Sequence, residues 1–201
     1  MVRDMGAKGT DTKERIVERA ATVFSERGFF GSSMTDLLRA TGMQKGGLYN
    51  HFKSKEQLAL ASFDYAVSLI EARYVAALEG RTGAVERLLA IVDVIRSVVD
   101  EPALPGGCPV LNTAIESDDT MPALRGRACD AMTSWQKMIG STVKAGVASG
   151  ELRAGTDPRE VATVMTATLE GAVFLSKLYG RRQPMRVAAD HVAAYVRGLA
   201  A

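Results

Sequence analysis

Two cysteines, two histidines and one tryptophan in 201 residues leave several kinds of protein without their usual means. Cys108 and Cys129 stand 21 positions apart with no CxxC and no histidine nearby in sequence, which is neither a zinc pattern nor a disulfide framework. The plain reading is reduced thiols in a cytoplasmic protein. Two histidines make no metal-binding pattern, no nucleophile elbow is present, and "GMQKGG" (42–47) lacks the GxxxxGK[ST] spacing of a phosphate-binding loop. An enzyme is therefore not expected, nor any cofactor or metal. The opening "MVRDMGAKGTD" has no apolar stretch for a signal peptide, and nowhere do 18 apolar residues run together, so no membrane partner is expected.

Prolines number only six, and no convincing strand, internal repeat or low-complexity block is visible. What is present is 47% hydrophobic and 24% charged residues, with much Ala, Leu, Val and Met, as in an all-α globular chain able to bury a core. The net charge of +2 is unevenly spread. Residues 1–58 hold 10 Lys/Arg and 7 Asp/Glu, and the remainder 15 and 16. A mildly basic amino-terminal part on a near-neutral body points towards nucleic acid.

Residues 1–10 are small and polar and read as a disordered tail, with Asp11 or Thr12 capping the helix that follows. Ile16, Ala20, Val23 and Phe24 share one face of that helix, and Gly28 ends it. Thr35 is the expected cap of a short helix closed by Gly42, and "KGGLYNHF" starts another two or three residues later. "SKEQ" (54–57) is a capping box for a helix over 55–78. Further helices are expected at about 85–99, 109–116, 122–149, 158–179 and 185–199, about nine in all.

Gly46 and Gly47 stand at the start of a helix, where each costs about 1 kcal/mol relative to alanine. Two short helices joined by a tight glycine turn form a helix-turn-helix, whose second helix enters the DNA major groove by its amino end. There, unpaired amides and the positive end of the helix dipole attract phosphate, Lys45 adds a full charge, and side-chain-free glycines let the backbone come close. Tyr49 and His51 can donate to phosphate, and Leu48 and Phe52 anchor the helix. Lys55 opposes the dipole of the next helix, a placement that makes sense if a phosphate lies between them. Gln44 and Asn50 either reach the DNA or are ordinary polar surface, and Arg39 and Lys53 would act through charge alone.

The stretch "TKERIVERAATVFSERGFFGSSMTDLLRATGMQKGGLYNHFKSKEQL" resembles the DNA-binding domain of TetR-family transcriptional regulators. The shared pattern includes Phe24, Gly28, Thr35, Gly42, Lys45, Gly46, Leu48, Tyr49, His51, Phe52, Lys55, Glu56 and Leu58, and departs at Gln44 and Gly47. The resemblance implies a helix-turn-helix domain at 11–57 and a larger helical effector-binding and dimerisation domain at 58–201. It also implies double-stranded operator DNA, a small-molecule effector and a second copy of the chain as partners, with repression as the mode of action. The last two long helices would then pair across a homodimer, through Val161, Met165, Leu169, Ala172, His191 and Tyr195, with small residues allowing close approach.

For the effector, Phe63, Leu111, Trp135 and Met138 are candidate cavity residues, with Asn112 and Glu116 as polar groups. For Trp135 core packing is the favoured reading, and Asn112 and Glu116 equally read as caps or water-facing groups. Cys108 follows two glycines at a helix start, where a thiolate is stabilised and reactive. It is otherwise a small buried hydrophobe, which is the favoured reading.

Overall fold

A computed structural model of the chain describes residues 5–117 and 120–201, with side chains from residue 11 onward. Helix α1 (Met5–Gly31) opens six residues before the expected cap at Asp11. No proline interrupts this stretch, and Gly6 and Gly9 weaken a helix by about 1 kcal/mol each without breaking it. Residues 1–4 of the expected disordered tail lie outside the described residues. Gly28, expected to end the helix, kinks it instead, and the chain stays helical to Gly31: the Gly28 backbone stands at φ 73 and ψ 175, a region almost closed to other residues.

Helix α2 (Met34–Thr41) is capped by Ser33, not by Thr35. The Ser33 hydroxyl accepts from the Asp36 amide at 3.1 Å, and the Asp36 carboxylate accepts from the Ser33 amide at 3.0 Å. Arg27 pairs with the same carboxylate at 2.8 Å. The Ser33 hydroxyl and amide, and then Arg27, hold the Asp36 carboxyl below its usual 3.8. A carboxyl held down in the fold adds stability that is complete above 3.8 and is lost as pH falls through the folded value. Asp36→Asn is therefore expected to unfold more readily than the parent at neutral pH and no more readily well below 3.8, as measured by urea titration at the two pH values. Gly42 closes α2 in the left-handed region at φ 68.

Helix α3 (Lys45–His51) and helix α4 (Lys55–Leu78) follow. Ile16, Ala20, Val23, Leu37, Leu48, Phe52 and Leu58 bury themselves in one apolar cluster that binds α1, α2, α3 and the start of α4. Helix α6 (Pro109–Ser117) packs on α1. The first compact unit comprises residues up to Ser68 together with Leu104–Ala128.

The second unit comprises Leu69–Ala103 and Cys129–Ala201. Helices α5 (Ala84–Asp100), α8 (Pro158–Tyr179) and α9 (Gln183–Arg197) pack on one another here, and α7 (Pro122–Ser149) contributes its later turns. Leu88, Ile91, Met165, Leu169, Met185 and Val196 are fully buried. The Glu151 carboxylate accepts from the Ala84 and Val85 amides at 2.6 and 2.9 Å, satisfying the first turn of α5. Beside it the chain end is clasped: Leu152 and Ala200 form an antiparallel bridge, the Arg153 amide donates to Leu199 O at 2.9 Å, and the Ala201 amide to Glu151 O at 3.0 Å. Among the described residues that bridge is the sole β pairing, and nine helices make up the rest, the all-α architecture expected.

Candidate nucleic-acid interface

Gln44 begins α3 from an extended backbone (φ −76, ψ 152), and its side chain makes no cap hydrogen bond. Lys45 and Gly46 occupy the first helical positions and are exposed, as are Asn50 and, at the start of α2, Thr35. Gly47, Tyr49 and His51 are half-buried. Underneath, Leu48 and Phe52 are 2% and 3% exposed, so the inner side of this short helix is fastened while its amino end faces outward.

A side chain at Gly46 would meet nothing within 4 Å. Packing inside the protein does not require glycine there, and the backbone at this position is open to close approach from outside. Gly47 differs: a Cβ there would lie 3.0 Å from the flexible end of Met43. Arg39 and Lys53 are exposed and add charge of one sign around the same region.

Lys55 departs from its expected outward role. Its ammonium donates to Phe29 O and lies 4.1 Å from the centre of the Phe29 ring. Burial lowers its pKa, while the neighbouring Glu116 charge acts in the opposite sense. At the α1–α2 corner a carbonyl and a ring face replace part of the hydration that the ammonium loses on burial.

The candidate effector residues fall in both units. Phe63, Cys108, Leu111 and Asn112 belong to the first, Trp135 and Met138 to the second. Cys108 is 1% exposed, and its sulfur accepts from the Leu111 amide at 3.5 Å, which fits a packed residue capping α6. The Asn112 side chain donates to Gly106 O at 2.7 Å and so holds the preceding loop. Leu111 and Met138 are half-buried and Phe63 is buried. Trp135 packs edge-on to Tyr74 with ring centres 5.8 Å apart, and its buried indole N–H has no hydrogen-bond partner among the described residues. Among those residues no group of His, Cys, Asp or Glu is arranged to hold a metal.

The expected dimer residues require correction. Val161, Met165, Leu169 and Ala172 are 0–3% exposed within the protomer, so their side chains are occupied by its own core and are out of a partner's reach. His191 is exposed and Tyr195 half-buried on α9, where burial and then Glu160 raise the Tyr195 pKa. The outward side of α8 instead carries Val164, Phe174, Leu175 and Leu178, with Val187 exposed on α9. Helix α8 is also long and apolar enough by composition to cross a membrane, with 44% of that stretch buried inside the protein. Such a helix is apolar over most of its circumference, which is why spacing alone did not tell its two sides apart.

Comparison with known proteins agrees with this architecture. Residues 16–62 match the family "Bacterial regulatory proteins, tetR family", and residues 84–192 match "Tetracyclin repressor-like, C-terminal domain". The chain is similar to a TetR transcriptional regulator from Chloroflexus aurantiacus J-10-FL, 43% identical, with 96% of this chain and 98% of that one covered and a TM-score of 0.93. A TetR-family regulator from Cytophaga hutchinsonii is 34% identical, covered over 96% of both chains, with a TM-score of 0.89. The HTH-type transcriptional repressor DhaR of Mycobacterium sp. (strain GP1) is 27% identical over 88% of this chain and 87% of its own.

Proposed function

The chain belongs to the TetR family of DNA-binding transcriptional regulators, and from that premise we propose that it is a homodimeric repressor that reads operator DNA with α3 and leaves it when a small molecule binds its carboxy-terminal helical part. The observation that carries the reading is the amino end of α3. An exposed Lys45 and an uncrowded Gly46 stand on a helix whose other side is locked into the core by Leu48 and Phe52. Thr35, Gln44, Lys45, Tyr49, Asn50 and His51 are the DNA-facing set. Lys55 acts behind them by holding the corner formed by α1 and α2. Backbone amides at the helix start receive phosphate, and the groove width admits the helix.

Dimerisation sets the spacing. A two-fold pair presents its reading helices about 34 Å apart, one turn of DNA. The exposed apolar side of α8 and the outer side of α9, including His191 and Tyr195, supply the surface for it. Effector release then follows from linkage: a ligand that prefers a conformation of lower operator affinity lowers occupancy, and DNA weakens ligand binding by the same factor. A cytoplasmic location follows from contact with the chromosome.

The test is fluorescence anisotropy with a duplex covering the sequence immediately upstream of the protein's own coding region. Log K should fall linearly with log salt at about −0.9 per phosphate neutralised. Lys45→Ala should weaken binding and reduce that slope by about 1. Absence of salt-dependent duplex binding by the parent protein would count against the proposal.

A further inference from the structure

Glu116 occupies a position that its own helix disfavours. It lies in the last turn of α6, where the helix dipole presents negative charge and an acidic side chain is unfavourable. Its compensation is found in the first unit, on α1. The carboxylate accepts from the Phe29 amide at 2.7 Å and from the Phe30 amide at 2.8 Å, two short charge-assisted bonds. These amides are available because Gly28 breaks α1, so that a new turn starts at Phe29 with unsatisfied donors. The fit leaves no room for a side chain at position 28, where a Cβ would stand 2.6 Å from both carboxylate oxygens.

A second foot lies at the other end of α6. The Ser25 hydroxyl donates to Pro105 O, and Gly106 presses so closely on Ser25 that a Cβ would lie 1.9 Å from its carbonyl oxygen. The Asn112 amide then secures Gly106 from within α6. Helix α6 is thus pinned to the last turns of α1 at both of its ends. Those turns lead directly into the Ser33 cap of α2 and carry Arg27, the ion-pair partner of Asp36.

We propose that Glu116 is a positioning residue for DNA binding: its grip on the Phe29 and Phe30 amides holds the α1–α2 corner in the geometry that presents α3, and displacement of α6 lowers operator affinity by loosening that grip. The inference rests on the DNA-binding reading above and adds to it the route by which regulation enters the DNA-binding unit. Glu116 touches no DNA, so its loss should change affinity without changing the number of phosphates contacted.

The experiment compares the parent with Glu116→Ala and Glu116→Gln on the same upstream duplex, and follows hydrogen exchange at Phe29 and Phe30. Glu116→Ala should weaken binding at least tenfold with the salt slope unchanged and both amides exchanging faster. Glu116→Gln keeps the side-chain volume and one acceptor oxygen, so it should retain the fold and fall between the two. A Glu116→Gln or Glu116→Ala protein that binds as tightly as the parent while its amides exchange faster overturns the role of Glu116 alone. A reduced salt slope in either variant overturns it too, since that signals lost phosphate contacts. A parent that binds no duplex overturns this inference and the DNA-binding reading together.

Discussion

Alanine at position 106 is expected to destabilise the fold by about 2–6 kcal/mol, a large effect for one methyl group. Two effects add. Gly106 stands at φ 97, where a side chain strains the backbone by about 1–3 kcal/mol. The new Cβ would also lie 1.9 Å from the Ser25 carbonyl oxygen and 2.8 Å from its carbonyl carbon. Those are backbone atoms, so no rotamer change relieves the contact, and overpacking adds about 1–3 kcal/mol. Total stabilities are about 5–15 kcal/mol, so the loss is a large part of the whole. Gly80→Ala is the control. Its φ of 71 is also left-handed, but nothing lies within 4 Å of the added carbon, so only the strain of about 1–2 kcal/mol remains. Urea unfolding of the two variants measures the difference, and equal losses would refute the role given to the Ser25 contact.

The second large effect separates the two sides of α8. Leu169→Ala removes a fully buried side chain and is expected to lower stability by about 2–5 kcal/mol. Leu178 is 60% exposed, so Leu178→Ala should leave the stability of the isolated protomer within about 0.5 kcal/mol. In a two-fold interface the same leucine is present twice, and burying each contributes about 1.5–3 kcal/mol. Leu178→Glu should therefore weaken dimerisation by about 100-fold or more. Sedimentation at several concentrations reads this directly. A Leu178→Glu protein that stays dimeric at the parent's lowest dimeric concentration would show that the outward side of α8 is not the interface.

The contrast at α8 shows where sequence reasoning reaches its limit. On α1 and α3, apolar residues recur at helical spacing between polar ones, so Ile16, Ala20, Val23 and Leu48 were legible as core and are buried. On α8 the apolar residues surround the helix, and the small residues that allow close helix approach are split between its sides: Ala162 and Ala172 lie inside the protomer, Ala167 and Gly171 are exposed. Helix α4 poses the same difficulty. Leu58, Ala61, Tyr65 and Leu69 have helical spacing, yet only Leu58 of these is buried, while Phe63, Ala66, Val67 and Ile70 are buried farther along. The cap of α2 was misplaced by two residues because hydroxyls stand at both Ser33 and Thr35, and the answering acid at Asp36 is shorter than the usual Glu or Gln.

The residues proposed to face DNA stand out in the sequence for a different reason. Lysine beside two glycines at a helix start breaks local propensity, and such breaks have a physical cause that can be sought. Lys55 broke a rule as well, but its cause is the Phe29 carbonyl and ring, 26 residues away. Glu116 finds its partners 87 and 86 residues back along the chain, and both are backbone amides. Every residue except proline carries such an amide, so no residue type marks the pairing.

The clasp at the far end of the chain joins two contacts. Leu199, Ala200 and Ala201 pair with the 151–153 turn, whose Glu151 also seats the first turn of α5. Prying residues 199–201 from that turn therefore also frees the segment whose Glu151 seats α5, so the two contacts are expected to open together.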